Sequence, residues 1–440
     1  LTVPQRATIT NMGAETGATT SVFPADEITR SFLVAQGREE DYTELFADAD
    51  AAYDKTIDID LTQVVPLAAC PHSPDNVKPV SELAGMVISQ SCIGSCTNSS
   101  YLDLMTVAAI LKGKTVHSDV SLAISPGSKQ VFNMLAANGA LSDIIDSGAR
   151  ILECSCGPCI GMGQSPKSAG VSLRTFNRNF EGRSGTEDAQ VYLVSPETAA
   201  VSAITGVMTD PTTVSLDAEI VMPNHFTVND NLVDPPAASS DMVEVEQGPN
   251  IKPFPINEAM PDTIAKRALL IVGDNITTDH IMPAGARLKY RSNVPQYARY
   301  VFEVVDPTFH DRSLANKAEG KLNIIVAGES YGQGSSREHA AMCPMYLGVK
   351  LVIAKSIERI HLANLVNFGI LPCFFENPED YDRIEQGDAL VADDLHSALS
   401  DSGELVIRDE TKGFSFKVKT ALSERQKGIM LVGGLLRFRG

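Results

Sequence analysis

Apolar positions along the chain fall into two regimes, separated by a stretch rich in proline. Before that stretch, short apolar runs alternate with segments in which apolar residues recur at a spacing near 3.6. The runs at 86–88 and 120–124 predict strands, and the periodic segments at 100–111 and 128–138 predict helices. After it, continuous apolar runs at 268–272, 322–327, 350–354 and 371–375 read as buried strands. Helical patterns at 336–347 and 357–367 lie between them. The tail at 387–420 has short alternating runs broken by Asp-Ser-Gly and Lys-Gly, which predicts β-hairpins beside an α/β core. Both halves are therefore α/β in character.

The dividing stretch, 209–261, holds eight of the 24 prolines, with acids, serines and asparagines between them. Proline blocks regular structure, so this segment is predicted to be an extended interdomain linker. Its presence agrees with length: 440 residues correspond to roughly three domains at about 150 residues each. Hydrophobic residues at 43% and charged residues at 21% describe a chain able to fold around a core. The longest apolar runs fall well short of the ~20 residues that span a bilayer. Thirty-six basic against 55 acidic residues give a net charge of −19, which argues against a general nucleic-acid or anionic-membrane surface. The opening Leu-Thr-Val-Pro-Gln-Arg carries no targeting pattern and reads as an internal sequence, so an N-terminal part is expected to be missing.

Eight cysteines are too few for a disulfide scaffold, and their grouping is informative. Cys70, Cys343 and Cys373 stand alone and read as inert core thiols. Cys92 and Cys96 lie in Ser-Cys-Ile-Gly-Ser-Cys-Thr-Asn-Ser-Ser, after one predicted strand and before a helix. At such a turn the helix terminus would lower a thiol pKa, although Thr97 or Asn98 could equally be a simple helix cap. Cys154, Cys156 and Cys159 lie in Cys-Ser-Cys-Gly-Pro-Cys, after the apolar run 149–152. Cys-Gly-Pro-Cys alone also fits a redox pair. A second thiol group about sixty residues earlier points instead to one metal centre shared by both, iron–sulfur or zinc.

Four further runs carry polar chemistry. Arg178 and Arg183 stand five apart in Phe-Asn-Arg-Asn-Phe-Glu-Gly-Arg, a spacing suited to gripping a polycarboxylate. The run 328–340 follows a strand and opens a helix. Its glycines, Ser335, Ser336 and Arg337 suit an anion site, or a capping box between Ser335 and Glu338. Asp279 and His280 in Thr-Thr-Asp-His-Ile could orient a reacting group, with Arg291 close behind, and Asn11 and Glu15 lie in a glycine-rich turn near the start.

Taken in order, NMGAETGATTSVFP, GSCTNSS, CGPCIG, FNRNFEGR, TTDHI and YGQGSSREHA resemble the aconitase family of iron–sulfur hydro-lyases, which includes aconitate hydratase, homoaconitase and isopropylmalate isomerase. The resemblance implies three-layer α/β/α domains, a linker and a swivelling β/β/α C-terminal domain. The corresponding segments are 1–84 (the remainder of a second domain), 85–207, the linker 208–262, and 263–440. It implies that Cys96, Cys156 and Cys159 hold a [4Fe–4S] cluster, with Cys92 and Cys154 as neighbours and one iron left open as a Lewis acid. Ser335 matches the base that removes a carbon-bound proton, supported by Arg337. Asn11, Asn177, Arg178, Arg183, Arg291, Ser336 and Arg337 match substrate-binding positions. Glu15, Asp279 and His280 match further catalytic ones.

The implied partner is a small tricarboxylate, with citrate and isocitrate preferred because Arg291 matches an arginine that grips an extra carboxylate. Homocitrate and isopropylmalate are the alternatives. An acidic chain that binds such a ligand must reverse its field locally, and four arginines would do so. Two readings of another class stay open: a zinc-binding structural protein using Cys92, Cys96, Cys156 and Cys159, and an RNA-binding protein, which the charge disfavours. Family members carry a further N-terminal domain with active-site histidines, so weak or no hydratase activity is expected of these 440 residues alone. The full-length protein is expected to be monomeric, without a membrane partner, and cytoplasmic, or in the mitochondrial matrix of a eukaryote.

Overall fold

The computed structural model describes all residues except 14, 16, 19, 215–219, 232, 240–242, 245, 335, 336 and 440, together with the side chains of 265–268 and 286. It divides into two units, Leu1–Pro236 and Ala237–Gly440. Among the described residues no helix is long and apolar enough to cross a membrane.

The first unit is built on a seven-stranded sheet. Its strands are β1 (Leu67–Ala69), β2 (Val77–Pro79), β3 (Gln90–Gly94), β4 (Ser121–Ser125), β5 (Arg150–Ile151), β6 (Val171–Arg174) and β7 (Gln190–Leu193), in the order β2-β1-β7-β6-β3-β4-β5. β3 to β7 pair in parallel, whereas β1 and β2 add antiparallel strands at one side, so residues on both sides of position 84 share one sheet. Every residue of β3 is buried, as a central parallel strand requires. The first predicted strand is displaced: 86–88 is not a strand, and β3 begins four residues later with Gln90 and Ser91. These polar residues tolerate burial because Ser91 Oγ donates to the Ala199 carbonyl at 3.1 Å and Gln90 is bonded to neighbouring strands and loops. The helix Tyr101–Leu111 follows, and its cap is Ser100 rather than Thr97 or Asn98. Ser100 accepts from the Asp103 amide while Asp103 accepts from the Ser100 amide.

The linker packs at each end on its own unit. Phe226 is buried against Phe32, Tyr101 and Met134 in the first unit, and its amide donates to the Ala35 carbonyl at 2.7 Å. Met260 is buried in the second unit. Among the described residues of 208–262 there is a short 3-10 turn, Pro211–Thr213, and no strand.

The second unit contains β8 (Ile264–Val272), β9 (Asn323–Ala327), β10 (Val349–Ala354), β11 (Leu371–Phe375), β12 (Ala389–Ala392), β13 (Glu404–Asp409) and β14 (Phe414–Lys419). They close into a barrel in the order β10-β11-β14-β13-β12-β8-β9. The expected hairpin, β13 with β14, therefore does not lie beside the core; it completes the sheet, pairing through β11 and β12. The continuous apolar runs have a direct cause. In β9, Ile324 and Val326 join the cluster containing Leu351, Ile353, Ile407 and Phe416, while Ile325 and Ala327 pack with Tyr297, Phe302, Phe309 and Ala341. Both faces of the strand are covered, so alternation disappears. The helix predicted from 336 begins at His339, with Glu338 at its N-cap and no side-chain cap bond among the described residues; Ser335, the expected partner of Glu338 in a capping box, lies outside them.

Candidate functional site

Chain order explains where the chemistry gathers in the first unit. From β3 the chain steps to β4 and β5 on one side, then returns to β6 on the other. Open parallel sheets bind ligands beyond the carboxyl ends of the strands where that reversal occurs. Gly94 to Asn98 leave the end of β3, Leu152 to Cys159 follow β5, and Thr175 to Arg183 follow β6. Three of the motifs singled out in the sequence thus issue from one edge of the sheet. Gly94 makes the first turn possible: its φ is +118°, and a Cβ there would sit 1.9 Å from the Ser125 carbonyl oxygen. Its amide donates to Thr175 Oγ1 at 2.8 Å, and Asn98 Nδ2 donates to the Thr175 carbonyl at 2.9 Å, which ties the β3 and β6 loops together.

Around this junction a polar network forms. Asn177 Nδ2 donates to Asn11 Oδ1 at 3.0 Å and reaches Glu15 Oε1 at 3.5 Å. Arg178 Nε donates to the same Glu15 oxygen at 2.9 Å, both side chains being largely buried. Thr97 Oγ1 donates to Asn11 Oδ1 at 3.2 Å, and Asn11 Nδ2 reaches the Cys96 carbonyl at 3.4 Å. Asn11, Glu15, Asn177, Arg178 and the Cys96 loop are therefore one connected group. Thr97, read in the sequence only as a possible helix cap, and Thr175, just ahead of the arginine motif, belong to it too.

The thiols divide as follows. Cys92 lies within β3 and is buried, Cys159 is buried, and Cys96 and Cys156 are exposed; none is in a disulfide. Although Cys156 is exposed, desolvation by the protein around its sulfur raises the thiol pKa, and the neighbouring Cys159 and Cys96 raise it further, while Arg183 acts in the opposite sense. Burial likewise raises the Cys92 thiol pKa, the reverse of the depression expected at its own turn. Cys159, Cys96 and Arg183 are the ionisable side chains that act on the Cys156 thiol. Arg183 Nη2 lies 3.5 Å from Cys159 Sγ, and among the described residues its Nε is buried without a partner, as are Ser95 Oγ and Ser184 Oγ beside the two cysteine-bearing turns.

Three free thiols, a guanidinium and unsatisfied donors fit the chemistry of a thiolate-held iron–sulfur cluster, whose ligands reach separate irons. Tetrahedral zinc asks for something different, four sulfurs each about 2.3 Å from one ion. Among the described residues no group of three or more His, Cys, Asp or Glu is arranged to hold a single metal ion.

A second polar group lies in the second unit. Thr277 caps the short helix Thr278–Ile281: its hydroxyl accepts from the His280 amide and its own amide donates to His280 Nδ1, both at 3.1 Å. With Nδ1 occupied as an acceptor, the neutral ring carries its proton on Nε2. Asp279 does not pair with His280; it accepts from Arg337 Nη1, which also reaches the Met282 carbonyl at 3.5 Å. The Thr278 amide donates to the Gln333 carbonyl at 2.9 Å, and the Gly332 amide to that of Ile276 at 2.7 Å, so the two glycine-containing loops run side by side. Arg291 is exposed, and its carbonyl accepts from His339 Nε2 at 2.9 Å. Ser335 and Ser336 lie outside the described residues. Two of the four expected anion-binding arginines, Arg178 and Arg337, already face a carboxylate, which reduces the field reversal each can provide.

Residues 1–206 match the Aconitase family (aconitate hydratase), and residues 253–378 match the Aconitase C-terminal domain. The chain belongs to the aconitase family. Its α/β architecture is of the aconitase type. Among aconitase-family relatives, the chain is 31% identical to a mitochondrial homocitrate dehydratase of Saccharomyces cerevisiae, an alignment covering 99% of this chain and 64% of the relative. It is 34% identical to a mitochondrial aconitate hydratase of Gracilaria gracilis, covering 87% and 57%. Over a shorter alignment, 48% of this chain and 51% of the relative, it is 42% identical to a 3-isopropylmalate dehydratase large subunit of Archaeoglobus fulgidus. The chain spans 57–64% of the length of the first two of these relatives.

Proposed function

We propose that this chain belongs to a hydro-lyase that interconverts citrate and isocitrate through cis-aconitate, with Cys96, Cys156 and Cys159 holding a [4Fe–4S] cluster. The observation that carries this reading is the shared neighbourhood of those three thiols with Arg183, next to the Asn11, Glu15, Asn177 and Arg178 network. When bound, the cluster supplies a Lewis-acidic iron without a protein thiolate, which eases departure of a hydroxyl group. The chain's own residues do the rest. Arg178, held through Nε by Glu15, keeps its terminal nitrogens for a substrate carboxylate, and the unpartnered Arg183 Nε is a further donor. Asn11 and Asn177 orient one another and offer amide groups to substrate oxygens. In the second unit Ser335 is assigned the proton abstraction. Arg337, oriented by Asp279, stabilises the resulting negative charge, and His280 presents a donor at Nε2.

Substrate choice within the family is the finer half of the proposal, because relatives named for homocitrate and isopropylmalate are also similar. Anaerobic reconstitution with iron and sulfide tests the first half. Broad visible absorption and acid-labile sulfide are expected from the wild-type chain and from Cys92→Ala, and are expected to be lost in Cys96→Ser, Cys156→Ser and Cys159→Ser. A colourless zinc protein that needs Cys92 would overturn it. Adding citrate, homocitrate or isopropylmalate to the reconstituted chain tests the second half. The tightest spectral response is expected with citrate, and a tighter response to homocitrate would reassign the substrate.

A further inference from the structure

Arg174, at the end of β6, is fully buried. Its Nε donates to Ser172 Oγ at 3.2 Å, and Nη2 donates to Gln90 Oε1 at 3.0 Å and to the Gln164 carbonyl at 2.7 Å. Nη1 donates to the Pro158 carbonyl. The guanidinium also stands 5.5 Å from the centre of the Phe176 ring. Pro158 and Gln164 bracket the turn that carries Cys159, whereas Gln90 and Ser172 belong to β3 and β6 and are bonded to each other at 2.7 Å. One side chain thus joins both ends of the cysteine-bearing turn to the middle of the sheet.

Its charge is the second observation. No carboxylate among the described residues pairs with Arg174, and all its acceptors are neutral. A buried, uncompensated cation is costly, and an apolar side chain of similar size would be cheaper if packing were its only role. Among the described residues, the groups near it that can become negative are Cys92 and Cys159, which pack with Phe176 in one buried cluster.

We propose that Arg174 is a positioning residue for the metal-binding turn: its fork fixes where Cys159 presents its sulfur, and its buried charge is the counter-charge for the thiolate-held cluster. The second part rests on the iron–sulfur reading; the first does not. The test compares the 440-residue wild-type chain with Arg174→Gln, Arg174→Lys and Ser172→Ala.

Hydrogen exchange is measured on metal-free protein. The amides of Ile160, Gly161, Met162 and Gln164, all bonded within the turn, are expected to exchange about tenfold faster in Arg174→Gln, while β4, β9 and β10 amides keep wild-type rates. Ser172→Ala, which removes one acceptor and spares the arginine, gives a smaller acceleration at the same amides and serves if Arg174→Gln does not fold. Unchanged exchange there would overturn the positioning role. After reconstitution, loss of the charge in Arg174→Gln is expected to lower the cluster's midpoint potential, and Arg174→Lys, which keeps it, to leave the potential near wild type. A potential insensitive to the charge would overturn the counter-charge role. Failure of the wild-type chain to take up iron and sulfide overturns the cluster reading and with it the counter-charge, while the exchange result still decides the clamp.

Discussion

Acidification should loosen the barrel through one residue, His361. It is buried on the helix Arg359–Asn367, its ring edge-on to Tyr331 at 5.2 Å, and neither ring nitrogen has a hydrogen-bond partner among the described residues. The glycine-rich loop lies directly on it: a Cβ at Gly332, whose φ is +85°, would fall 2.2 Å from the ring. Burial pushes the His361 pKa down from 6.5 to about 4. Above pH 6.5 the ring is neutral in both folded and unfolded chains and contributes no pH dependence. Below it the unfolded chain takes up the proton first, so stability falls as pH drops, until the folded-state value is reached. At about 1.4 kcal/mol per unit, the loss is about 2 kcal/mol at pH 5 and about 3 kcal/mol by pH 4.

The control is His361→Leu, which removes both unsatisfied nitrogens and the titration. At pH 7 the relief of two buried polar atoms opposes the loss of the ring contact with Tyr331, leaving a net change within about 1 kcal/mol. The decisive quantity is the slope. Hydrogen exchange of β9 and β10 amides, corrected for intrinsic rates, should show wild-type protection collapsing between pH 6.5 and 5 and a flatter profile in His361→Leu. Parallel losses in the two proteins would refute the assignment of the acid limb to this ring.

Gly94→Ala should destabilise the first unit by about 2 kcal/mol or more, because the added carbon meets the Ser125 carbonyl and the residue must hold a positive φ. A lower thermal midpoint and reduced iron uptake would register it. Ser100→Ala removes the capping box of the helix Tyr101–Leu111 and should cost about 1 kcal/mol, read by urea unfolding followed by circular dichroism. Arg178→Met leaves the largely buried Glu15 carboxylate unpaired and should cost about 3 kcal/mol, whereas Arg178→Met combined with Glu15→Leu should recover most of that loss in a double-mutant cycle.

Elements decided by local pattern were legible in the sequence. The run 371–375 became β11 unchanged, and the helix from 101 to 111 was recognisable from its spacing. Misplacement occurred where tertiary bonds satisfy polar residues. The strand was expected at 86–88, short of the polar Gln90 and Ser91, whose burial depends on bonds to Ser172, Arg174 and Ala199. Barrel closure depends on pairings such as Val391 with Ala265, more than a hundred positions apart, and no local pattern encodes them. The candidate site divides in the same way. Cysteine grouping after apolar runs was visible, but the pairing of Glu15 with Arg178, 163 residues away, was not. Nor was the pairing of Asp279 with Arg337 in place of His280. Arg174 gave no signal, since a lone arginine next to a motif looks like any surface cation.

The two sheets also differ in what they offer to other molecules of the same kind. A closed barrel has no free row of amides and carbonyls, so it cannot recruit a neighbouring strand. The open sheet of the first unit ends on one side in β2, three residues containing Lys78 and Pro79, and on the other in β5, two residues containing Arg150. Borders this short, marked by cations and an imino acid, give a growing cross-β stack little to template on, which favours recovery over aggregation when the chain is diluted from denaturant.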